Sequence, residues 1–214
     1  VPKQPVARGT ASSRVGIWVN GQDVTNHRAG QNCGGRWLID GAALERIEVD
    51  KGPYSVLYGS QAIGGVVNFI TKKGGDKPLS GTVKAVYNSA TAGWEESAAA
   101  WGSIGQFDYR INGSYSDQGD RDTPDGRLPN THFRNNSQGI WLGYNLDNQH
   151  FGLSLDRYKL STQTYYEDPD GEYDAFSVKL PKLEREKVGL FYDVDVDGDY
   201  LKKIHLDAYE QTIA

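Results

Sequence analysis

The side chains best suited to binding chemistry crowd into one short segment. After Asn20-Gly21 the chain reads Gln22-Asp-Val-Thr-Asn-His-Arg-Ala-Gly-Gln-Asn-Cys-Gly-Gly-Arg-Trp37. Arg28 and Arg36 offer guanidinium forks to an anionic ligand. Trp37 offers a stacking face. His27 offers an imidazole, and Gln31 and Asn32 offer amides that both donate and accept. The plainer alternative is a solvated loop. Cys33 is the only cysteine, so neither an internal disulfide framework nor a multi-cysteine zinc site can form. His27 and Arg36 lie within ten residues of it, but no arrangement marks an activated nucleophile. The chain has no GxSxG, no H-E-x-x-H and no phosphate-cradling loop with a lysine. No enzyme is expected.

Two acidic stretches form the second candidate group. Residues 161–176 carry Glu167, Asp168, Asp170, Glu172 and Asp174 with no Lys or Arg, beside Tyr165, Tyr166, Tyr173 and Phe176. Asp117, Asp120, Asp122 and Asp125 mark another. Carboxylate clusters can hold calcium through oxygen ligands, although a solvated acidic surface is the commoner outcome. His132 reads as a loop residue, and His150 and His205 as residues in or beside strands.

These groups need elements to position them. The 214 residues allow one or two domains. Hydrophobic residues are 37%, and no stretch approaches the ~20 apolar residues of a membrane-spanning helix. A net charge of -5 argues against nucleic acid, which needs a basic face. Met is absent and no signal peptide is visible, so a piece of a longer chain is expected. Residues 1 to about 77 are glycine-dense, with short apolar runs at Val15-Gly-Ile-Trp-Val19, Ile47-Glu-Val49 and Val66-Val-Asn-Phe-Ile70. Each is bounded by Gly, Asn or Asp, the pattern of short strands. Ala42-Ala-Leu-Glu-Arg46 reads as one helical turn.

From about residue 80 the period becomes two. Phe107, Tyr109, Ile111 and Tyr115 alternate with Asp108, Arg110, Asn112 and Ser114. Ile140, Leu142, Tyr144 and Leu146 repeat the theme, as do Phe151, Leu153, Leu155, then Val188, Leu190, Tyr192, Val194, then Ile204, Leu206, Ala208. Adding strands near 80–88 and 94–103 gives about seven. Short connectors are expected at Ile104-Gly105, Asp147-Asn148 and Asp197-Gly198, the last as a two-residue hairpin. Long ones are expected over 117–136 and 161–184. Alternating short and long turns between amphipathic strands fit a transmembrane β-barrel. A soluble antiparallel sheet with one wet face fits the alternation equally well.

One stretch carries a resemblance. It runs Leu44-Glu-Arg-Ile-Glu-Val-Asp-Lys-Gly-Pro-Tyr-Ser-Val-Leu-Tyr-Gly-Ser-Gln-Ala-Ile-Gly-Gly-Val-Val-Asn-Phe-Ile-Thr-Lys-Lys73. It closely resembles the end of the plug domain of TonB-dependent outer-membrane receptors, I-E-R-I-E-V-x-x-G-P-x-S-x-L-Y-G-x-x-A-x-G-G-V-I-N-I-x-T-K. The matching positions are Ile47, Glu48, Val49, Gly52, Pro53, Leu57, Tyr58, Gly59, Ala62, Gly64, Gly65, Val66, Asn68, Thr71 and Lys72. Upstream, Arg8-Gly9 looks like the family's I-R-G element, with Ala7 for Ile. Val15 to Gly21 looks like its V-L-V-L-V-D-G strand, with Asn20 for Asp. Physically, Gly52-Pro53 sets a turn, and Gly59, Gly64 and Gly65 permit positive φ or close approach. Val66 to Ile70 suits a buried strand. Lys72-Lys73 leads into Gly74-Gly75, expected to be a flexible link.

The resemblance implies a mostly β chain: a plug domain of small mixed β with a short helix, then part of a 22-stranded antiparallel transmembrane β-barrel. Residues 1–77 would be the later part of the plug and 78–214 the first seven or so barrel strands. At that spacing twenty-two strands need roughly 430 residues, so the barrel would be incomplete, and its open edges alone could not sit in a bilayer.

The implied function is uptake of ferric siderophores across the bacterial outer membrane, driven by TonB with its ExbB–ExbD energising complex. Uptake of haem, haemoglobin or cobalamin is the alternative within the family. A soluble β-rich binding or adhesion domain is the alternative outside it. The 22–37 segment would be an apical plug loop holding substrate through His27, Arg28, Gln31, Asn32, Arg36 and Trp37. His27 would be the ligand if the cargo were haem. Cys33 would be a loop residue or pair with a cysteine elsewhere. The long connectors would be extracellular. No intrinsic cofactor is implied, iron entering only as part of the cargo. Partners would be TonB, the cargo and outer-membrane lipid.

Overall fold

The computed structural model describes residues 15–23, 40–52, 64–166 and 176–214. Nearly all regular structure among them is strand, arranged in two compact units. The first comprises Val1–Trp37 and Leu44–Lys72, the second Leu38–Ala43 and Lys73–Ala214.

The first unit holds β1 (Val15–Val19), β2 (Gln22–Asp23), β3 (Leu44–Asp50) and β4 (Gly65–Thr71), in the sheet order β2-β1-β4-β3. β4 lies in the middle, parallel to β1 and antiparallel to β3. Its run of Val66, Val67, Asn68 and Phe69 is buried, as a central strand demands. Val15, Trp18 and Val19 of β1 complete the core. The β1–β2 turn has positive φ at both Asn20 (53°) and Gly21 (81°), the requirement of a tight primed hairpin. Asn20 explains its own departure from the family's Asp. Its Oδ1 accepts from the Thr71 N–H at 3.0 Å while its Nδ2 donates to Thr71 Oγ1 at 2.9 Å. A carboxylate could accept from both the Thr71 N–H and its hydroxyl, but only the amide can also donate to Oγ1.

The second unit is an antiparallel meander. Its strands are β5 (Ser80–Asn88), β6 (Gly93–Ile104), β7 (Phe107–Gln118), β10 (Phe133–Leu146), β11 (Gln149–Tyr166), β12 (Phe176–Asp195) and β13 (Lys203–Ile213). They pair in the order β13-β12-β11-β10-β7-β6-β5. A two-stranded ribbon of β8 (Arg121–Thr123) and β9 (Gly126–Leu128) fills the connection between β7 and β10.

Burial on this sheet is inverted relative to a water-soluble protein. On β7, Ile111 is 56% exposed while its neighbours Arg110 and Asn112 are 1% and 5% exposed. Leu142, Phe151, Leu155, Val188, Leu190 and Leu206 are likewise exposed, and Ser137, Ser154 and Lys187 buried. A sheet that turns leucines outward and a buried guanidinium inward has lipid, not water, outside. The soluble-sheet alternative fails here. Aromatic pairs edge the apolar face. Phe107–Tyr144 (4.7 Å) and Phe151–Tyr192 (4.8 Å) stand at the end of the short turns, and Tyr87–Trp94 (5.2 Å) at the other. Amphipathic rings belong at such interfaces.

Four expectations need correction. The helical turn is a 3-10 turn at Gly41–Ala43, and Leu44–Arg46 belong to β3. Asp40 caps it, Oδ1 accepting from the Ala42 N–H at 2.9 Å, and pairing of Leu44 with Thr71 then imposes strand geometry. The connector expected at 161–184 is mostly strand, because β11 and β12 run to Tyr166 and from Phe176. At 18 and 20 residues they exceed the ~10 that cross a bilayer. Beyond the Ile140–Leu155–Val188 row the outward face turns charged, with Arg157 bonding Glu184 (2.6 Å) and Glu186 (3.0 Å).

The Asp197-Gly198 hairpin is a longer connection. β12 ends at Asp195 and β13 begins at Lys203, with the Val196 N–H donating to Lys202 O at 2.9 Å. A two-residue turn would flip every side chain of β13. It would put Lys203, His205 and Asp207 in lipid, whereas the observed register sets Leu206 beside Tyr192 and Ile204 beside Val194. Lastly, the Gly74-Gly75 link is pinned. The Gly75 N–H donates to Ser103 Oγ at 3.2 Å, and a Cβ on Gly74 would stand 2.9 Å from the Asp108 carboxyl carbon. These glycines serve close approach rather than flexibility.

One carboxylate ties the two ends of the 119–132 connection together, beside the Arg121 N–H that donates to Thr131 Oγ1 at 2.8 Å. Asp120 Oδ1 accepts from the N–H groups of Thr131 (2.9 Å) and His132 (3.0 Å), and His132 Nδ1 lies 3.6 Å away. Desolvation pushes this carboxyl up, but the two N–H donors and His132 outweigh it and hold it below its ordinary value. A depressed carboxylate contributes stability above its unfolded pKa and loses it as pH falls through the folded one. Asp120→Ala should therefore cost the loop about 1 kcal/mol and speed amide hydrogen exchange at Thr131 and His132. The native loop should loosen in the same way below about pH 4. Unchanged exchange in the variant would rule out the staple.

Candidate functional site

His27, Arg28, Gln31, Asn32, Cys33, Arg36 and Trp37 lie outside the described residues, as do Arg8, Gly9, Pro53, Leu57, Tyr58, Gly59 and Ala62 of the motif. The acidic run of Glu167, Asp168, Asp170, Glu172, Tyr173 and Asp174 lies outside them too. Both flanks of the 24–39 segment are described. On one side the Asn20-Gly21 turn is stitched to β4, with the Gly21 N–H donating to Asn68 Oδ1 at 3.2 Å. Asn68 in turn donates from Nδ2 to Glu48 Oε2 at 3.4 Å. This gives the motif's Asn and Glu a physical role as turn supports. On the other side Asp40 is buried, and its Oδ2 accepts from Asn112 Nδ2 of β7 at 2.7 Å.

The inward face of the large sheet, within the second unit, is a separate candidate site. Cross-strand register aligns Asn112, Gly139, Asp156, Lys187 and Gln211 in one row. Arg110, Trp141, Ser154, Gly189 and Tyr209 form the row beside it. Arg110 Nη2 donates to Asp156 Oδ1 at 3.3 Å. A Cβ on Gly139 would stand 2.7 Å from Asn112 Oδ1 and 2.9 Å from Asp156 Oδ1, so these polar groups close over the glycine. Lys73 lies against the same wall, its Nζ 5.0 Å from the Trp141 ring and 5.3 Å from the Phe191 ring. Both are cation–π distances. Period-two reading found this phase of the strands but not the cluster, because only strand register brings these residues together.

Asp117 and Asp120 of the first acidic stretch are engaged separately, Asp117 by Arg134 at 2.6 Å and Asp120 by its backbone donors. Among the described residues no three His, Asp or Glu side chains converge as a metal site.

The geometry is thus a small sheet with a buried central strand, followed by strands that are apolar outward and polar inward. The model of the TonB-dependent Receptor Plug Domain matches residues 2–66. The chain belongs to the TonB-dependent outer-membrane receptors. This receptor chain is 41% identical over 99 residues to the iron-regulated outer membrane virulence protein of Vibrio cholerae, covering 42% of this chain and 15% of that protein. It is 30% identical over 176 residues to the vitamin B12 transporter BtuB of Photobacterium profundum, covering 78% of this chain and 26% of that protein. Its fold matches the copper transporter OprC with a TM-score of 0.80 at 18% identity, over 98% of this chain and 31% of that one. The chain therefore spans about a quarter or less of these curated relatives. As a TonB-dependent receptor it is a bacterial outer-membrane protein, and its relatives and fold are those of receptors and transporters rather than enzymes. No described helix is long and apolar enough to cross a membrane; the crossing elements here are strands.

Proposed function

We propose that this chain is the plug and early barrel of a receptor that takes up ferric siderophores with energy from TonB. Residues 1–77 would be plug and 78–214 the first barrel strands. The observation that carries the cargo class is the lumen wall. Arg110, Arg185 and Lys187 sit buried on one inward face, which favours an anionic chelate over a neutral one. The iron-regulated relative agrees with an iron cargo. Arg28 and Arg36 would pair with the acidic groups of the chelate at the apex, and Trp37 would stack on it. TonB would pull on the plug from the periplasmic side, so no nucleotide site is required.

The test uses the full-length receptor. A strain lacking it should lose growth on at least one anionic ferric siderophore as sole iron source and recover it with the intact gene. Unchanged growth on every siderophore, with growth lost on haem, would transfer the assignment to haem. His27→Ala then separates the readings further: it should leave siderophore growth intact, whereas loss of haem affinity would make His27 an iron ligand.

A further inference from the structure

We infer that the lumen face of β11 and β12 carries an oxyanion-binding site centred on Arg185. Arg185 is 7% exposed, and its Nε and Nη1 are buried with no hydrogen-bond partner among the described residues. A buried guanidinium with unmatched donors is among the costliest groups a fold can keep, and such a group calls for an explanation. Among the described residues no carboxylate bonds either atom. Asp156, the acidic neighbour that Arg185 feels across the strand pair, already accepts from Arg110 Nη2. Tyr158, directly opposite Arg185 in register, brings a phenol rather than a carboxylate.

Lys187 adds a second cation on the same face. It is 4% exposed, with its Nζ 5.1 Å from the Tyr209 ring. Asp156 faces it from β11, and Asp207 from β13. The wall thus sets a guanidinium with two unbonded donors two residues from an ammonium that Asp156 and Asp207 face. A fork fits the two oxygens of a carboxylate or phosphate, and an ammonium adds a point charge. The ligand class is a carboxylate- or phosphate-bearing solute in the lumen. The inference rests on the same wall that favours an anionic cargo above and narrows the group it would hold; its test reads binding by the protein, not growth, so the two can fail separately.

The experiment is thermal unfolding of the full-length, detergent-solubilised receptor with citrate and, separately, with inorganic phosphate. Either anion should raise the melting temperature in a saturable way. R185Q should abolish the shift, and K187Q should weaken the apparent affinity about tenfold. Lys182→Gln, on the charged strand end, should leave it unchanged. A larger response to citrate assigns a carboxylate ligand, and a larger one to phosphate assigns a phosphate. If R185Q does not fold, R185K decides: it keeps the charge, loses the fork and should bind about tenfold more weakly. No shift in the native receptor, a shift that survives in R185Q, or full affinity in R185K overturns the inference. The first of these outcomes would mean that another part of the chain supplies the partner of Arg185.

Discussion

Replacing Gly65 by alanine is expected to cost the plug sheet about 3–5 kcal/mol, among the largest effects of any single methyl group in this chain. Two independent costs add. Gly65 has a φ of 141°, which L side chains rarely adopt. In addition, a Cβ there would stand 2.6 Å from the carbonyl oxygen of Asp50. That oxygen is backbone and cannot rotate away. It lies at the end of β3, where Asp50 pairs with Val66, while Gly65 itself pairs with Val15 of β1. The three strands fix one another at this point. Gly21 is the right control, because it lies in the same sheet with a φ of 81° but nothing within 4 Å of a built Cβ. Gly21→Ala should cost only the backbone strain, about 1 kcal/mol. Urea midpoints for loss of plug structure in the full-length receptor measure both. A Gly65 variant within 1 kcal/mol of the Gly21 variant would remove the steric argument.

Gly65 also shows what kind of information the sequence carries well. The Gly-Gly before Val66 is a local pattern, and its demand for close approach is a local fact. The same holds for the Asn20-Gly21 turn and for the seven amphipathic strands, whose period is set by the pleat. Alternation did not reveal which phase was dry. Ile111 and Arg110 alternate in any amphipathic strand, and only the 56% against 1% exposure reveals lipid outside. Strand ends were less legible. Residues from 161 on look like loop on composition, yet the ladder from Arg157 to Tyr166 continues with one irregularity near Leu160. Hydrogen bonds to a neighbouring strand are blind to polarity. The turn at Asp197-Gly198 was misplaced because turn chemistry is local, while the register of Tyr192 with Leu206 is not. The wall cluster was invisible for the same reason. Arg110, Asp156, Arg185 and Lys187 come from three strands, and no spacing rule joins them.

Trp141→Ala should be the most damaging truncation on the lumen wall, costing about 3–5 kcal/mol and releasing the segment at Lys73. The ring is 4% exposed. It lies on Gly152, where a Cβ would come within 2.3 Å of its ring carbons, and it meets Phe191 at 5.3 Å between centroids. Lys73 caps both rings, which adds roughly 1–2 kcal/mol in a partly desolvated setting. Packing and anchoring can be separated. K73Q keeps the ring packed and should lower the melting temperature only slightly, yet it should free the link nearly as fully as Trp141→Ala. Trp141→Phe keeps an aromatic face and should retain most of the anchor. Trypsin reads the difference, because Lys72 provides a cleavage point beside the anchor in every variant. Cleavage there should quicken in Trp141→Ala and in K73Q, and stay near the native rate in Trp141→Phe. If cleavage is unchanged in both of the first two, the link is held by Ser103 and Asp108 around Gly74-Gly75 and the aromatic anchor is dispensable. If it quickens as expected, the aromatic anchor is what holds the chain at Lys73.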